Sequence, residues 1–541
     1  MEQFDCIIVG AGSAGCVLAA RLSADGRRRV LLLEAGGGDR RFWIKAPIGY
    51  GKSYFDRRVN WSYHTEPDPG TGDRSAYWPR GKLLGGSSSI NAMVYCRGLP
   101  GDFDDWRAAG NPGWGWHDVR PIFESFERRV AADGSARGDG PLWVSDREAE
   151  YHPIRRYFYE AAREIGLPFA TDMNGPDPEG VGAYAINTRR GLRCSAADAF
   201  LRPALGRKNL CVRLNALVER VRFEGRRAIG VEYRAGTDSH FARAGEQVIV
   251  AAGAVNSPQI LQLSGIGPGN VLRAAGVAVR HANDAVGGGL QDHLGINYSY
   301  RATEPTLNQT LGTWRGRIAC GLRYLAWRAG PLSLGVNQMG GLVRSSPQAP
   351  RPDLQLYFNP LSYSISHADK RPLLSPDSWP GFIMAFNACR PTSTGRIEIA
   401  APDPARPPRI HPNYLDTAGD IAEAIAGARL IGRLQDTSAM GRLIAAPPGF
   451  DVARASDDEI VADFRARSGT VFHPCGTCRM APESERGVVD ASLRVHGVDG
   501  LRVVDASIFP EHHLRQHQRA DHHGRPQGGP ADRRCMKRSR L

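Results

Sequence analysis

Near the N-terminus the chain passes from an apolar run through a glycine-spaced turn into a helix-like stretch. A second apolar run then ends on an acid, all within thirty-four residues. Phe4–Val9 (FDCIIV) has the unbroken apolar character of a buried strand. It leads directly into Gly10-Ala11-Gly12-Ser13-Ala14-Gly15, then CVLAARLSAD, then Arg29–Leu33 (RVLLL), closing on Glu34 and Ala35. This is the spacing of a dinucleotide grip. Gly10 allows the tight turn, Gly12 lets backbone approach a pyrophosphate, and Gly15 brings helix onto strand. Ser13 and Ala14 open the helix, whose free N–H groups and positive dipole end suit phosphate. Glu34, nineteen residues after Gly15, can accept hydrogen bonds from a ribose diol and repels a 2′-phosphate. The expected fold is α/β and Rossmann-like. The turn alone does not separate FAD from NAD.

Two further segments bear on that choice. Gly81-Lys82-Leu83-Leu84-Gly85-Gly86-Ser87-Ser88-Ser89-Ile90-Asn91 is a loop of small residues whose backbone can lie against a flat ring or a phosphate. Leu83, Leu84, Ile90, Met93 and Val94 around it argue against a flexible linker. The second segment is Gly253-Ala254-Val255-Asn256-Ser257-Pro258, continuing QILQLSGIG. With VGGGLQDH (286–293), RPTSTGRI (390–397), FHPCGTCRM (472–480) and LRVVDASIFP (501–510), they resemble the glucose–methanol–choline (GMC) oxidoreductases. The resemblance covers nearly everything up to Pro510 and is closest to the bacterial choline and alcohol dehydrogenases.

That resemblance implies an FAD site. It puts Gly86, Asn91 and Val94 near the flavin, Val218 at the adenine through its backbone, and Asp505 and Ala506 along the phosphate–ribityl region. Glu246–Ala252 (EQVIVAA) reads as a later strand of the same sheet. Ile90 stands where some members tether FAD through a histidine, so non-covalent FAD is expected. The implied layout is an FAD-binding part over 1–298 and a substrate part over 299–470, an α+β domain built on an antiparallel sheet. The chain returns to the FAD domain over 471–510, and 511–541 departs from the family.

Flavin-dependent alcohol oxidation needs removal of the hydroxyl proton and hydride transfer to flavin N5. A histidine is the usual base. His473 matches the family's catalytic histidine, giving oxidation of an alcohol substrate to the aldehyde, with reoxidation by an electron acceptor or quinone. An O₂-using oxidase of the same fold stays open, as do the alcohol itself and the oligomeric state. His293, in LQDH, reads as structural, satisfied by local hydrogen bonds. Cys475 and Cys478 could suggest zinc, but no second Cys/His pair has finger-like spacing, and no metal is expected. Trp314, Trp327, Tyr357, Phe358 and Trp379 read as core residues rather than a cage for a quaternary ammonium.

The net charge of +13 does not mark a nucleic-acid binder: Arg is scattered, and no aromatic-studded basic stripe exists. No apolar run reaches eighteen residues, and MEQFDCIIVG lacks the basic region and cleavage site of a signal peptide. A cytoplasmic protein with reduced thiols is expected, and peripheral membrane contact stays open.

The last thirty-one residues, EHHLRQHQRADHHGRPQGGPADRRCMKRSRL, carry eight Lys/Arg, three acids and five of the fifteen histidines. Such a composition cannot bury a core. The resemblance implies instead S-T-x-x-G-N-T-N-A-P-T-I-M and a closing helix, with a second catalytic Asn or His where Gln518 stands. Dropping one nucleotide from a back-translation of Glu511–Gly524 permits S-T-I-C-G-N-T-N-A-P-T-I-M, and K-A-A further on. The tail is therefore read as the family C-terminus in a shifted frame, which resequencing checks. A catalytically impaired member of the fold is the alternative this leaves, beside a genuine His/Arg-rich tail.

Overall fold

The computed structural model describes residues 2–365, 374–446 and 448–510. Residues 511–541, with Gln518 and the shifted-frame reading, lie outside the described residues. β1 (Glu2–Val9) sits inside a seven-stranded sheet, with β2 (Val30–Leu33) parallel on one side and Asp238–Val250 parallel on the other. Leu210–Arg213 extends the sheet beyond β2, and Leu501–Val503 pairs with the end of Asp238–Val250, both parallel. Parallel neighbours need a crossover, which α1 (Ser13–Leu22) supplies between β1 and β2. Ala216–Glu224 and Arg227–Ala235 close the sheet as antiparallel strands. The last four residues of β1 and all of β2 are buried, as parallel strands require.

α1 comes close to the sheet because its inner face is small: Gly15, Cys16 and Ala19 are its buried residues. A Cβ on Gly15 would stand 1.8 Å from the Gly10 carbonyl oxygen. Gly10 itself has φ +100°, and a Cβ there would lie 2.5 Å from the Ala251 carbonyl oxygen.

A second sheet is antiparallel throughout. Its order is Ile444–Ala446, Leu294–Ala302, Gly381–Ala388, Leu354–Asn359, Met339–Val343, Gly180–Ala183, with Gly469–Thr470 also paired to Leu294–Ala302. It draws on more of the chain than 299–470: Gly180–Ala183 is an edge strand, and Leu294–Ala302 straddles the expected boundary. A four-residue GVGA strand carries no apolar alternation for a sequence reading to detect. The helix Ala418–Gln435 packs on the central strand Gly381–Ala388, and a Cβ on Gly427 would meet the Phe386 ring at 2.0 Å. Thr417 starts that helix by accepting from the Asp420 N–H.

The aromatics read as core divide. Phe358 is fully buried, whereas Trp314 is 68% and Trp327 75% exposed. Both belong to the surface helix Trp314–Trp327, whose apolar stripe reads the same in sequence whether or not anything covers it. Trp379 is also partly exposed. Among the described residues no helix is long and apolar enough to cross a membrane.

Candidate functional site

A cavity of about 510 Å³ opens at the C-terminal ends of β1, β2 and Asp238–Val250, where open α/β sheets bind ligands. Gly10, Gly12, Ser13, Ala14, Glu34, Ala35, Gly86, Val218, Asp505 and Ala506 all line it. Four expected residues do not. Gly15 lies on the buried face of α1, against the Gly10 carbonyl. Asn91 is engaged by Arg193, whose guanidinium donates to its side-chain and main-chain oxygens at 2.7 Å each. Val94 bridges to Ile186 and packs beside Tyr184. His473 stands next to the lining residue Pro474.

The glycines in the lining separate what the fold needs from what a ligand needs. Gly10 and Gly15 are required by neighbouring backbone. Gly12 is not: its φ is −73°, and a Cβ there would meet no protein atom within 4 Å. A side chain on Gly12 would instead extend into open space beside the cavity, so the residue suits a group held against the main chain. Gly86 (φ +53°) is pressed onto the same spot, its would-be Cβ 2.7 Å from the Gly12 Cα. Two backbone segments free of side chains thus meet at the helix N-terminus, a cradle for a pyrophosphate.

Glu34 accepts from the Ala11 N–H at 2.9 Å and the Gly36 N–H at 2.8 Å. Burial pushes its pKa up to about 7 against the pull of those two hydrogen bonds. Asp505 accepts from Gly253 N–H (2.9 Å), the Ser257 hydroxyl (2.5 Å) and Ser507 N–H (2.8 Å). Its carboxylate holds the start of the helix Gly253–Leu263.

The second part of the site forms where the two sheets join. Gln291 and Cys475 exchange both main-chain hydrogen bonds, at 3.1 and 2.9 Å, and that register sets His293 opposite His473. Further along, Leu294 pairs with Thr470, two residues out of that register. Phe472 takes up the difference in a left-handed conformation (φ +69°), at a cost of about 1–3 kcal/mol. Thr470 Oγ1 holds its N–H at 2.8 Å, and Arg80, from the cavity lining, donates to its carbonyl at 2.6 Å.

The Nδ1 atoms of His293 and His473 are 3.2 Å apart, with the rings at 85°. His293 Nε2 lies 3.0 Å from the Cys389 carbonyl oxygen. The His473 ring is solvent-accessible yet lies deep in the molecule, as a group facing an internal opening does. Desolvation, with His293 and Arg80, lowers its pKa to about 3, and desolvation lowers that of His293 too. Both rings are therefore neutral at physiological pH. One tautomer chain follows. The carbonyl can only accept, so His293 carries its proton on Nε2 and offers a lone pair at Nδ1. His473 must then donate from Nδ1, which leaves its Nε2 unprotonated.

The local reading of Gln-Asp-His is thereby corrected. Asp292 accepts from the His473 N–H at 2.7 Å, the Tyr414 hydroxyl at 2.5 Å and the Thr470 hydroxyl, all distant in sequence. His293 bonds across 180 residues. Pairing register decides this, and register is not written in the motif. Arg80, Trp61 and Asn256 also line the cavity without having been singled out. Among the described residues, no group of three His, Cys, Asp or Glu is placed to hold a metal ion.

Comparison with known proteins agrees with this geometry. Family models described as GMC oxidoreductase match residues 4–295 and 391–517. Mitochondrial choline dehydrogenase of Mus musculus is 41% identical over 521 residues, covering 94% of this chain and 86% of its own. Alcohol dehydrogenase (acceptor) of Pseudomonas putida is 40% identical over 515 residues, covering 94% and 92%. Among solved structures, pyridoxine 4-oxidase from Mesorbium loti superposes with a TM-score of 0.83 at 33% identity, covering 94% of each chain. An FAD-dependent oxidoreductase from Chaetomium thermophilum gives 0.83 at 27%, covering 94% and 95%. The paired sheets, the glycine cradle and these relatives lead to one conclusion: the chain belongs to the GMC oxidoreductase family, FAD-dependent enzymes that act on CH–OH groups.

Proposed function

We propose that the chain oxidises a primary alcohol, choline-like or aliphatic or aromatic, to the aldehyde in the cytoplasm, with His473 as the base. The observation that carries this is the hydrogen-bonded pair of neutral histidines beside the cavity, with the tautomer chain that leaves His473 Nε2 free. FAD held in the cavity would supply the hydride acceptor. Nε2 takes the hydroxyl proton while Nδ1–H stays hydrogen-bonded to His293, which fixes the ring.

Gly10, Gly12, Ser13, Ala14, Asp505 and Ala506 are assigned to the phosphates and ribityl chain, with Gly15 seating the helix against the strand, Glu34 and Ala35 to the ribose, and Val218 to the adenine. Gly86, Asn91 and Val94 are assigned to the flavin side. Ile90 packs among Ile44, Val59 and Leu83 with no nucleophile to form a tether, which supports dissociable FAD. The name of the Pseudomonas putida alcohol dehydrogenase (acceptor) supports an electron acceptor, for which a quinone is proposed, while the oxygen-dependent choline dehydrogenases at 37–38% identity keep O₂ open. The test is the visible spectrum. A yellow protein that bleaches anaerobically with a primary alcohol and recovers with a quinone supports the reading; a flavin that alcohols never bleach refutes it. Rapid oxygen uptake during turnover would reassign it as an oxidase.

A further inference from the structure

The helix Trp314–Trp327 is attached to the protein by a narrow inner face. Cys320 and Tyr324 are its buried residues, packed with Ala46 and Leu332. Its outer face carries Trp314, Ile318, Leu322 and Leu325, spaced i, i+4, i+8 and i+11 on one stripe. They are 68, 53, 63 and 64% exposed. Beside the helix, the exposed Phe42 ring packs 6.0 Å from that of the inner-face Tyr324, and the exposed Trp43 ring lies 4.8 Å from that of Phe42, which adds two exposed apolar rings on the helix's flank. Scattered apolar side chains need no explanation, but a contiguous set of large ones marks a contact surface.

The charge around this stripe identifies what it contacts. From Trp314 to Arg328 the chain carries Arg315, Arg317, Arg323 and Arg328 and no acid, and all four are exposed. Arg315 lies over the Trp314 ring at 5.3 Å, and Lys52 over the Trp43 ring at 4.2 Å. A second copy of the same face would bring these cations against their own kind across a two-fold axis, which is unfavourable. An apolar stripe of Leu, Ile and Trp flanked by arginines is the composition of a helix lying in the headgroup plane of a bilayer. At fourteen residues it is roughly 21 Å long, too short to cross.

We propose that this face docks on an anionic lipid bilayer, with Trp314, Ile318, Leu322 and Leu325 in the headgroup–acyl boundary and the arginines on lipid phosphates. The inference does not depend on the alcohol-oxidising assignment. Its position is nonetheless relevant to it. The Ile44 carbonyl, next to Trp43, accepts from Arg193, which also holds Asn91 at the end of the Gly86–Asn91 loop. Beyond the helix, the Val336 N–H lies 3.4 Å from the Tyr50 hydroxyl. The docking face is thus one layer of side chains from the loop assigned to the flavin.

The experiment is co-sedimentation of the FAD-loaded protein with vesicles of phosphatidylcholine alone, or of equal parts phosphatidylcholine and phosphatidylglycerol. Binding is expected to the phosphatidylglycerol vesicles only, and to weaken with added salt. Leu322→Ser with Leu325→Ser, and separately Arg315→Glu with Arg323→Glu, should each weaken it roughly tenfold or more. Both variants should keep the wild-type circular-dichroism spectrum and denaturation midpoint, which shows that they fold. No binding to phosphatidylglycerol vesicles at low salt overturns the proposal, as does wild-type binding by both variants. A dimer in solution that the leucine variant splits overturns it too, making the face a self-interface.

Discussion

The glycine cradle and the histidine pair both place polar groups inside an apolar molecule, but they are assembled over very different distances. The Glu34 carboxylate and its donors at Ala11 and Gly36 belong to one strand–helix–strand unit. His293 and His473 are 180 residues apart and meet only when two sheets join in the right register. Their electrostatics also run in opposite senses. Burial keeps the acid of the cradle protonated to about pH 7, and keeps the base of the pair unprotonated to about pH 3. The same physical cause neutralises both groups by moving their pKa values in opposite directions. A locally built site survives small shifts elsewhere in the fold, whereas a site set by register depends on everything that sets the register.

The comparison breaks if losing the histidine matters little. His473→Ala is expected to lower kcat about 10²–10⁴-fold while the protein stays yellow, and a loss under about tenfold would remove His473 from the chemistry. His293→Phe, which takes away the acceptor that orients His473, should cost roughly 10- to 100-fold and distort the pH profile of kcat/KM. His293→Gln, which keeps an acceptor, should recover part of the loss. If Phe and Gln behave alike, His293 is packing alone.

In the cradle, two alanines should divide fold from ligand. Gly15→Ala drives a Cβ into the Gly10 carbonyl and should destabilise the protein by about 3 kcal/mol, read from chemical denaturation. Gly12→Ala meets no protein atom and should leave unfolding of the FAD-depleted protein nearly unchanged while reducing FAD uptake. Equal destabilisation by the two would mean that Gly12 is a packing residue.

The more gradual effects are those of pH on FAD-depleted protein. Folded Glu34 keeps to about pH 7 a proton that the unfolded chain releases near 4.5. Its contribution to stability is therefore lost as pH rises through that window, by about 3 kcal/mol at full ionisation. His473 gives the opposite slope: the unfolded chain binds a proton near 6.5 that the folded protein refuses down to about 3. Its contribution is lost as pH falls. Glu34→Gln should abolish the first slope and His473→Asn the second, in denaturation midpoints measured across this range. A Glu34→Gln protein that retains the alkaline loss would place its origin elsewhere.

What the sequence made legible follows the same division. The turn Gly10–Gly15 and the strand ending at Val250 each announce themselves over a few consecutive residues, because strand and helix periods are local. Gly180–Ala183 could not be assigned to the antiparallel sheet, since a short glycine-rich edge strand is defined by its partner Met339–Val343. His293 was visible as a motif, but its neighbour depends on a pairing register. Trp314 and Trp327 were misassigned because hydrophobicity tells that a face is apolar and leaves open what lies against it.

The carbonyl of Cys389 closes the hydrogen-bonded chain that begins at His473, and a carbonyl takes no proton. The relay therefore has a blind end. With His473 as the proposed base, a proton lifted from an alcohol has no exit through His293 and stays on the cavity side, where reduction of the acceptor to its quinol can consume it.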